Sequence, residues 1–201
     1  MQLYGMAMSG NCWKVAQILR LTGHDVAWIE TDTATGATQT PAFLALNPNG
    51  KVPVLRLNDG TILTESNAIL LHFAEGTAWL PPPSLARTRV HEWLFFEQYT
   101  HEPAIAVARN LISWRREAHL HTERLAQCAT QGAKALTIME RRLSQADWLV
   151  GTTPTIADLA LFAYTHRADE AGFSLHPYPG VQAWIDRITA LPGITLLPRP
   201  A

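Results

Sequence analysis

The tetrapeptide Ser9-Gly10-Asn11-Cys12 is the first candidate for chemistry, because it lies between a short predicted strand and a predicted helix. Unpaired backbone amides at a helix N-terminus attract an anion such as a thiolate. The Ser9 hydroxyl can add a hydrogen bond, and such a site lowers the pKa of a thiol from about 8.5 toward neutral. Taken alone, the tetrapeptide is explained more simply by Ser9 and Asn11 capping the helix.

The second candidate is Val52-Pro53, where a proline opens a predicted strand. Proline cannot donate to the strand ladder. A cis peptide bond at this point would expose the backbone amide and carbonyl of Val52 to an extended peptide ligand. The simpler alternative is a trans proline on an edge strand, because only about 5–6% of X-Pro bonds in folded proteins are cis.

The third candidate is Glu65-Ser66, at the predicted start of a helix. The amide and hydroxyl of Ser66 can bind a carboxylate there, and Glu65 can pair with an ammonium group. An α-amino acid carries both groups close together. The alternative is that Ser66 is an ordinary N-cap with an acidic neighbour that suits the helix dipole.

The elements that must position these residues alternate between strand and helix. Apolar periodicity and turn residues predict strands over 2–4, 26–31, 52–57 and 61–64, and helices over 11–22, 41–46 and from 66 onward, with a loop over 32–41. The β-α-β, loop, β-β-α order predicts a small mixed sheet of the thioredoxin-like arrangement. In that arrangement all three candidates fall at one edge of the sheet. A γ-glutamyl-cysteinyl tripeptide carries the thiolate, backbone and α-amino acid groups that they suit.

The chain changes character at the three prolines of 81–83. Three consecutive prolines cannot continue a helix and favour an extended connector. We therefore predict an α/β thioredoxin-like domain over 1–77, a linker over 78–85 and an all-α domain over 86–201. In the second domain, helical spacing predicts a helix over 90–99 that Pro103 interrupts near His101, and further helices over 122–144 and 181–190.

Composition excludes several classes of function. Lys and Arg total 16 and Asp and Glu 17, so no basic excess exists for nucleic acid. No apolar run approaches the roughly 20 residues of a membrane helix, and no secretory signal precedes the first strand. Cys12 and Cys128 are therefore expected to be reduced thiols in a cytoplasmic protein. No His-x3-His or Cys-x2-Cys pair has further ligands, so we expect no metal.

The charged fraction of 16% is below the roughly 25% that is usual for soluble proteins. The predicted helix after the linker is apolar on more than one side, with Phe95, Phe96 and Tyr99 beside its inward face. Both features predict a further buried surface, and we expect a homodimer.

The sequence resembles the glutathione S-transferase family over nearly its whole length. The matching stretches are 3–5 (LYG), 9–15 (SGNCWKV), 47–55 (NPNGKVPVL), 65–69 (ESNAI) and 155–158 (TIAD). The resemblance is closest to bacterial members with serine at the active-site turn, and the stretch 97–103 (EQYTHEP) is similar to a feature of one such group. It implies glutathione as co-substrate and a small electrophile as the second substrate.

The resemblance also implies a role for individual residues at the sulfur. Ser9 would donate a hydrogen bond to the glutathione thiolate, with help from Asn11 and the Cys12 amide. The backbone of Val52, ahead of a cis Pro53, would pair with the cysteinyl unit.

The ends of glutathione and the second substrate would be held by further residues. Glu65 and Ser66 would hold the γ-glutamyl end, and Lys51, with Gln39 as a weaker candidate, would lie near the glycyl carboxylate. The second-substrate pocket would be formed by Met6, Met8, Tyr99, His101 and Arg109. His101 and Arg109 could polarise the electrophile, although capping or solvent-facing roles are the simpler alternatives.

Thr155 and Asp158 have a structural role in the same resemblance. Thr155 can accept from the Asp158 amide while Asp158 accepts from the Thr155 amide, which is the capping-box pattern.

Two other functions stay open at this point. Cys12 follows Ser9 by three positions, where thioredoxin-like oxidoreductases carry the second cysteine of C-x-x-C. Serine at the first position argues against a dithiol cycle, but a glutathione-dependent thiol–disulfide oxidoreductase or peroxidase is an alternative, with Ser9 stabilising a leaving thiolate. The simpler interpretation of Cys12 is a buried apolar residue. A non-catalytic ligand carrier of the same fold is the third possibility.

Overall fold

A computed structural model describes residues 1–200. Its first part is a four-stranded mixed sheet with the strand order β2-β1-β3-β4. The strands are β1 (Gln2–Gly5), β2 (Ala27–Glu30), β3 (Val54–Arg56) and β4 (Ile62–Leu63). β1 runs parallel to β2 and antiparallel to β3, and β3 is antiparallel to β4. This confirms the predicted mixed sheet.

Three helices accompany the sheet: α1 (Gly10–Leu21), α2 (Pro41–Leu46) and α3 (Ser66–Ala74). Leu3 and Leu55 of the sheet are fully buried against apolar residues of α1 and α3. Side chains alternate along a strand, and the next residue, Tyr4, contacts Phe43 of α2.

The remainder is helical, as predicted. Its helices are α4 (Leu85–Phe96), α5 (Glu102–Arg109), α6 (Thr122–Leu143), α7 (Ile156–Thr165) and α8 (Pro179–Thr189). Two π-helical turns, Glu97–His101 and Asn110–Trp114, flank α5. The first lies just before Pro103, which has no backbone N–H to donate. The predicted interruption near His101 is therefore a π turn between α4 and α5.

Several predicted boundaries are wrong in detail. β3 and β4 are shorter than the predicted strands, and the stretch 32–41 contains two short 3₁₀ turns, Thr33–Thr35 and Ala37–Gln39. The connection between α3 and α4 covers 75–84, so the last residue of the predicted linker is already helical. The last residue of the predicted second domain, 201, lies outside the described residues.

The two parts are joined by buried contacts. Trp13 and Ile18 of α1 belong to the same apolar cluster as Phe162 of α7. Lys14 of α1 forms a fully buried ion pair of 3.0 Å with Glu97 of the first π turn. The site between the two parts is therefore bounded by elements that pack directly on each other.

The predicted capping box begins α7. The Asp158 carboxylate accepts from the Thr155 amide at 2.8 Å, and it also accepts from the Leu149 amide and from Trp184 Nε1. Burial raises the pKa of the Asp158 carboxyl, while these hydrogen bonds act in the opposite direction. Asp158 thus joins the start of α7 to α8 and to the turn before α7.

Candidate functional site

A cavity of about 440 Å³ lies between the sheet edge and α5. It is lined by Met6, Met8, Ser9, Asn11, Thr33, Thr38, Gln39, Gly50, Lys51, Val52, Glu102, Ala106, Val107, Arg109, Asn110, Trp114 and Tyr164. Residues from the first two sequence candidates therefore meet in one cavity, together with residues of the helical part.

Ser9 is the N-cap of α1 and lines this cavity. Its Oγ accepts a hydrogen bond from the Cys12 amide at 3.3 Å. Because the oxygen acts as the acceptor there, the hydroxyl proton stays available to donate to a ligand. Capping the helix and donating to an anion are thus compatible roles for one hydroxyl.

Asn11 connects four elements around the cavity. Its backbone amide donates to the Tyr164 hydroxyl of α7 at 3.3 Å, and its Nδ2 donates to Glu102 Oε1 of α5 at 3.3 Å. Its Oδ1 accepts from the Ser66 hydroxyl of α3, also at 3.3 Å. The acceptor on one side and the donor on the other fix the orientation of the Asn11 amide.

The Val52-Pro53 peptide bond is cis. Val52 and Lys51 both line the cavity, and the Lys51 carbonyl accepts from Asn47 Nδ2 at 2.8 Å. Gly50 has φ +60°, and a Cβ there would lie 2.5 Å from Gln39 Nε2. Glycine therefore lets the chain turn while Gln39 stays beside Lys51 at the cavity wall.

Ser66 begins α3 as expected, but it is not the N-cap. That position is Glu65, which has φ +65° and makes no capping hydrogen bond. The Ser66 hydroxyl instead donates to Asn11, which explains why it does not cap its own helix. Glu65 is exposed, and it lines a neighbouring apolar groove rather than the main cavity. A non-glycine residue in this left-handed region is uncommon and often marks a functional position.

Cys12 points away from the cavity. Its side chain is fully buried, and burial raises the pKa of its thiol to about 11. Its amide already serves Ser9 Oγ. The structure therefore fits the interpretation of the Cys12 side chain as a buried apolar residue, and the assisting role of its amide stays a prediction.

Two residues predicted for the second-substrate pocket lie elsewhere. Tyr99 is 89% exposed on the outer face of the first π turn. His101 is fully buried, its Nε2 is 2.8 Å from the Thr165 hydroxyl, and burial lowers its pKa to about 4. Neither lines the cavity, because one π turn directs its side chains both outward and into the core. Met6 and Met8 do line it.

Arg109 lines the cavity, but its guanidinium is committed to protein acceptors. Nε donates to Glu170 at 2.7 Å, Nη1 to the Met8 carbonyl at 2.7 Å and Nη2 to the Pro198 carbonyl at 3.3 Å. The structure thus gives Arg109 a positioning contact to the turn before Ser9, which is neither the polarising role nor the solvent-facing alternative.

Three cavity residues, Glu102, Trp114 and Tyr164, were not indicated by the sequence. Trp114 reaches the cavity from the second π turn, whose rotation no periodic pattern indicates. Tyr164 lies against Gly10, where an added Cβ would come within 2.7 Å of the ring. A glycine next to Ser9 is consistent with close packing at that point, but the sequence does not indicate that Tyr164 is the residue packed against Gly10.

Within residues 1–200, no helix is both long and apolar enough to cross a membrane. The same part of the chain contains no group of three or more histidine, cysteine or acidic residues arranged to hold a metal ion.

Comparison with known proteins identifies the family. The family model described as the N-terminal domain of glutathione S-transferase matches residues 3–78, and the model of the C-terminal domain matches residues 122–187. The chain belongs to the glutathione S-transferase family. This confirms the resemblance found in the sequence. The mixed sheet lies in the part that matches the N-terminal domain, and the helical part contains the match to the C-terminal domain.

Individual relatives match nearly the whole length of this chain. A crystal structure of a glutathione S-transferase from Xanthobacter autotrophicus Py2 is 68% identical, with a TM-score of 0.97, and the match covers 98% of this chain and 97% of that one. Glutathione S-transferase 3 of Zea mays is 32% identical, covering 96% of this chain and 90% of the relative. The disulfide-bond oxidoreductase YfcG of Escherichia coli is 28% identical, covering 92% and 89%.

Proposed function

We propose that this family member transfers glutathione to a small, partly apolar electrophile, with the Ser9 hydroxyl donating to the glutathione thiolate. The observation that carries the proposal is the geometry of Ser9. Its oxygen accepts from the Cys12 amide while its side chain lines the cavity, so the hydroxyl can donate its proton to the sulfur. A hydrogen bond to an anion is about twice as strong as a neutral one, so the thiolate form is favoured.

The proposed glutathione site extends from Ser9 along the sheet edge. The Val52 backbone, ahead of the cis Pro53, would pair with the cysteinyl unit as an added strand would. Lys51 and Gln39, which line the same cavity, would take the glycyl carboxylate.

The γ-glutamyl end would extend toward Glu65 and Ser66. Ser66 is joined to the cavity through Asn11, and it begins a nine-residue helix whose first amides can bind a carboxylate. Glu65 would receive the ammonium group. Its φ of +65° holds it at the rim beside Ser66.

The electrophile would occupy the other side of the cavity. Met6 and Met8 lie there with Val107 and Trp114. Thioethers and an indole are apolar and polarizable, so they suit a planar or alkyl electrophile with little charge.

The test replaces Ser9 by alanine. We expect Ser9→Ala to bind glutathione but to lose roughly tenfold to a hundredfold in kcat with an aryl halide, because a hydrogen bond to a charged group contributes about 1.5–3 kcal/mol. Ser174→Ala, in an exposed loop, is the matched control and should keep the parent rate. An unchanged rate in Ser9→Ala would remove Ser9 from the mechanism, and no binding heat with glutathione would refute the proposal itself.

A second candidate function is glutathione-dependent reduction of disulfides, which the relationship to YfcG favours. In that reaction Ser9 would stabilise a leaving thiolate. The buried Cys12 thiol, with its raised pKa, argues against a dithiol cycle. Rates with a glutathione mixed disulfide and a hydroperoxide, compared with those for an aryl halide, separate the two functions.

We also propose a homodimer formed through the outer face of α4 and the first π turn. Phe95 is 75% exposed and Tyr99 is 89% exposed. Phe95 also borders an apolar groove of about 470 Å³ that Leu71 and Leu94 line. Exposed aromatic residues beside an apolar groove are typical of an interface. Sedimentation at micromolar concentration should show twice the chain mass of 22.3 kDa, and a monomer would refute this.

A further inference from the structure

We propose that Glu102 is a further catalytic residue, the group that accepts the proton of the glutathione thiol. The inference rests on the proposed function, which supplies the thiol. It concerns a step that Ser9 does not perform, because a hydroxyl that donates to the thiolate stabilises the anion but does not remove the proton.

Glu102 is placed at the sulfur site by the first π turn. It is the first residue of α5, immediately after that turn, and its side chain lines the same cavity as Ser9 and Asn11. Its Oε1 accepts from Asn11 Nδ2 at 3.3 Å. Asn11 is held on its other side by the Ser66 hydroxyl. The carboxylate therefore lies one side chain away from the turn that carries Ser9.

No other group lining the cavity can take a proton in this way. Glu102 is the sole carboxylate among its lining residues within 1–200. The Arg109 guanidinium has no acceptor atom, and it already donates to Glu170, the Met8 carbonyl and the Pro198 carbonyl. Tyr164 is buried, and burial and the charge of Glu102 raise the pKa of its phenol far above neutral, so it stays a donor.

The charge surroundings of Glu102 are unusual for a carboxylate. No residue in 1–200 forms an ion pair with it, and its Oε2 has no hydrogen-bond partner there, although the residue is only partly exposed. Burial, followed by the charge of Glu97, raises its pKa, whereas Lys14, the hydrogen bond from Asn11 and Lys51 act in the opposite direction. The Lys14 ammonium is already paired with Glu97. An unpaired, partly buried carboxylate is costly, and a proton is the simplest partner for it.

The proposed step balances in atoms and charge. The S–H bond of glutathione breaks, its electron pair stays on sulfur, and the proton forms an O–H bond with the Glu102 carboxylate. The site then holds one thiolate and one neutral carboxylic acid, so its net charge does not change. Two neighbouring anionic groups that share one proton are a coupled pair. After transfer of the thiolate to the electrophile, Glu102 returns its proton to solvent.

The test counts protons while glutathione binds. Calorimetry at about pH 7 in buffers of different ionisation enthalpy measures proton release, and ultraviolet absorbance measures thiolate formation. The parent protein should form thiolate with a proton release near zero. Glu102→Gln should release about one proton per thiolate formed, and Glu123→Gln, on the exposed first turn of α6, should match the parent. A merely structural role for Glu102 would not alter this stoichiometry.

Kinetics provide a second readout. Glu102→Gln should lose roughly a hundredfold in kcat at about pH 6.5, and the loss should shrink as pH rises because hydroxide and buffer then remove the proton. A parent protein that forms thiolate while releasing one proton overturns the role of Glu102 and leaves the proposed function intact. A parent that binds glutathione without forming thiolate, or does not bind it, overturns both.

Discussion

The buried ion pair between Lys14 and Glu97 offers a quantitative test of how the two parts of the molecule are held together. Both side chains are fully buried, and the Nζ–Oε2 distance is 3.0 Å. Glu97 Oε2 also accepts from Asn67 Nδ2 at 2.9 Å and from Gln98 Nε2 at 2.8 Å. The pair thus joins α1 to the first π turn, with α3 contributing an amide.

Replacing Lys14 by methionine should be strongly destabilising. Methionine fills much of the same volume, but Glu97 is left as a buried charge with amide donors only. Breaking a buried pair on one side costs about 3–5 kcal/mol, whereas replacing both partners is often nearly neutral. We expect a loss of about 3–5 kcal/mol for Lys14→Met and about 1 kcal/mol for Lys14→Met/Glu97→Gln. The coupling energy in the double-mutant cycle should therefore exceed about 2 kcal/mol.

Urea unfolding followed by circular dichroism measures these free energies from the midpoint and slope. Arg89→Met is the matched control, because Arg89 forms an exposed ion pair with Glu92. Because both of its side chains are exposed to solvent, that pair should contribute little to stability. A loss below about 1 kcal/mol for Lys14→Met, or a double variant as unstable as the sum of its singles, would refute the reasoning.

Two further predictions concern buried titratable groups. Cys12 and Cys128 are both buried, and burial raises the pKa of each thiol, to about 11 for Cys12, so neither should react with iodoacetamide in the folded protein and both should react in urea. Rapid native labelling of Cys12 would contradict its assignment as a core residue. His101 has its pKa lowered from 6.5 to about 4 by burial, so the unfolded state binds more protons between those values and stability should fall by about 3 kcal/mol as pH drops through this window. His101→Asn, which keeps a donor for Thr165, should reduce that slope in acid-dependent unfolding, and an unchanged slope would show that His101 does not titrate as described.

Much of the fold could be predicted because its signals are local. The strand before Gly5, the helix after Ser9 and the capping box at Thr155 depend on residues within a few positions of one another. Alternation and helical periodicity report which face of an element is apolar. The mixed sheet and the helical second part follow from the order of those elements, and the structure confirms both.

The details of the site were harder to predict from the sequence, because the two π turns interrupt the regular spacing of side chains along a helix. The turn Glu97–His101 inserts an extra residue per turn relative to an α-helix. It sends Tyr99 outward, buries His101 and brings Glu102 to the cavity. The resemblance implied Tyr99 and His101 at the pocket, whereas Glu102 is the residue of this stretch that lines the cavity.

The sequence by itself determined the family, the order of the elements and the position of Ser9 at a helix start, since each depends on contiguous residues. The tertiary structure alone decided which groups are free to react. The Cys12 thiol is buried, and the Arg109 guanidinium is bonded to Glu170 and the Met8 carbonyl. Glu102, in contrast, forms no ion pair with any residue in 1–200. The physical reason is that desolvation and hydrogen-bond satisfaction are set by neighbours distant in the chain, and no local pattern records them.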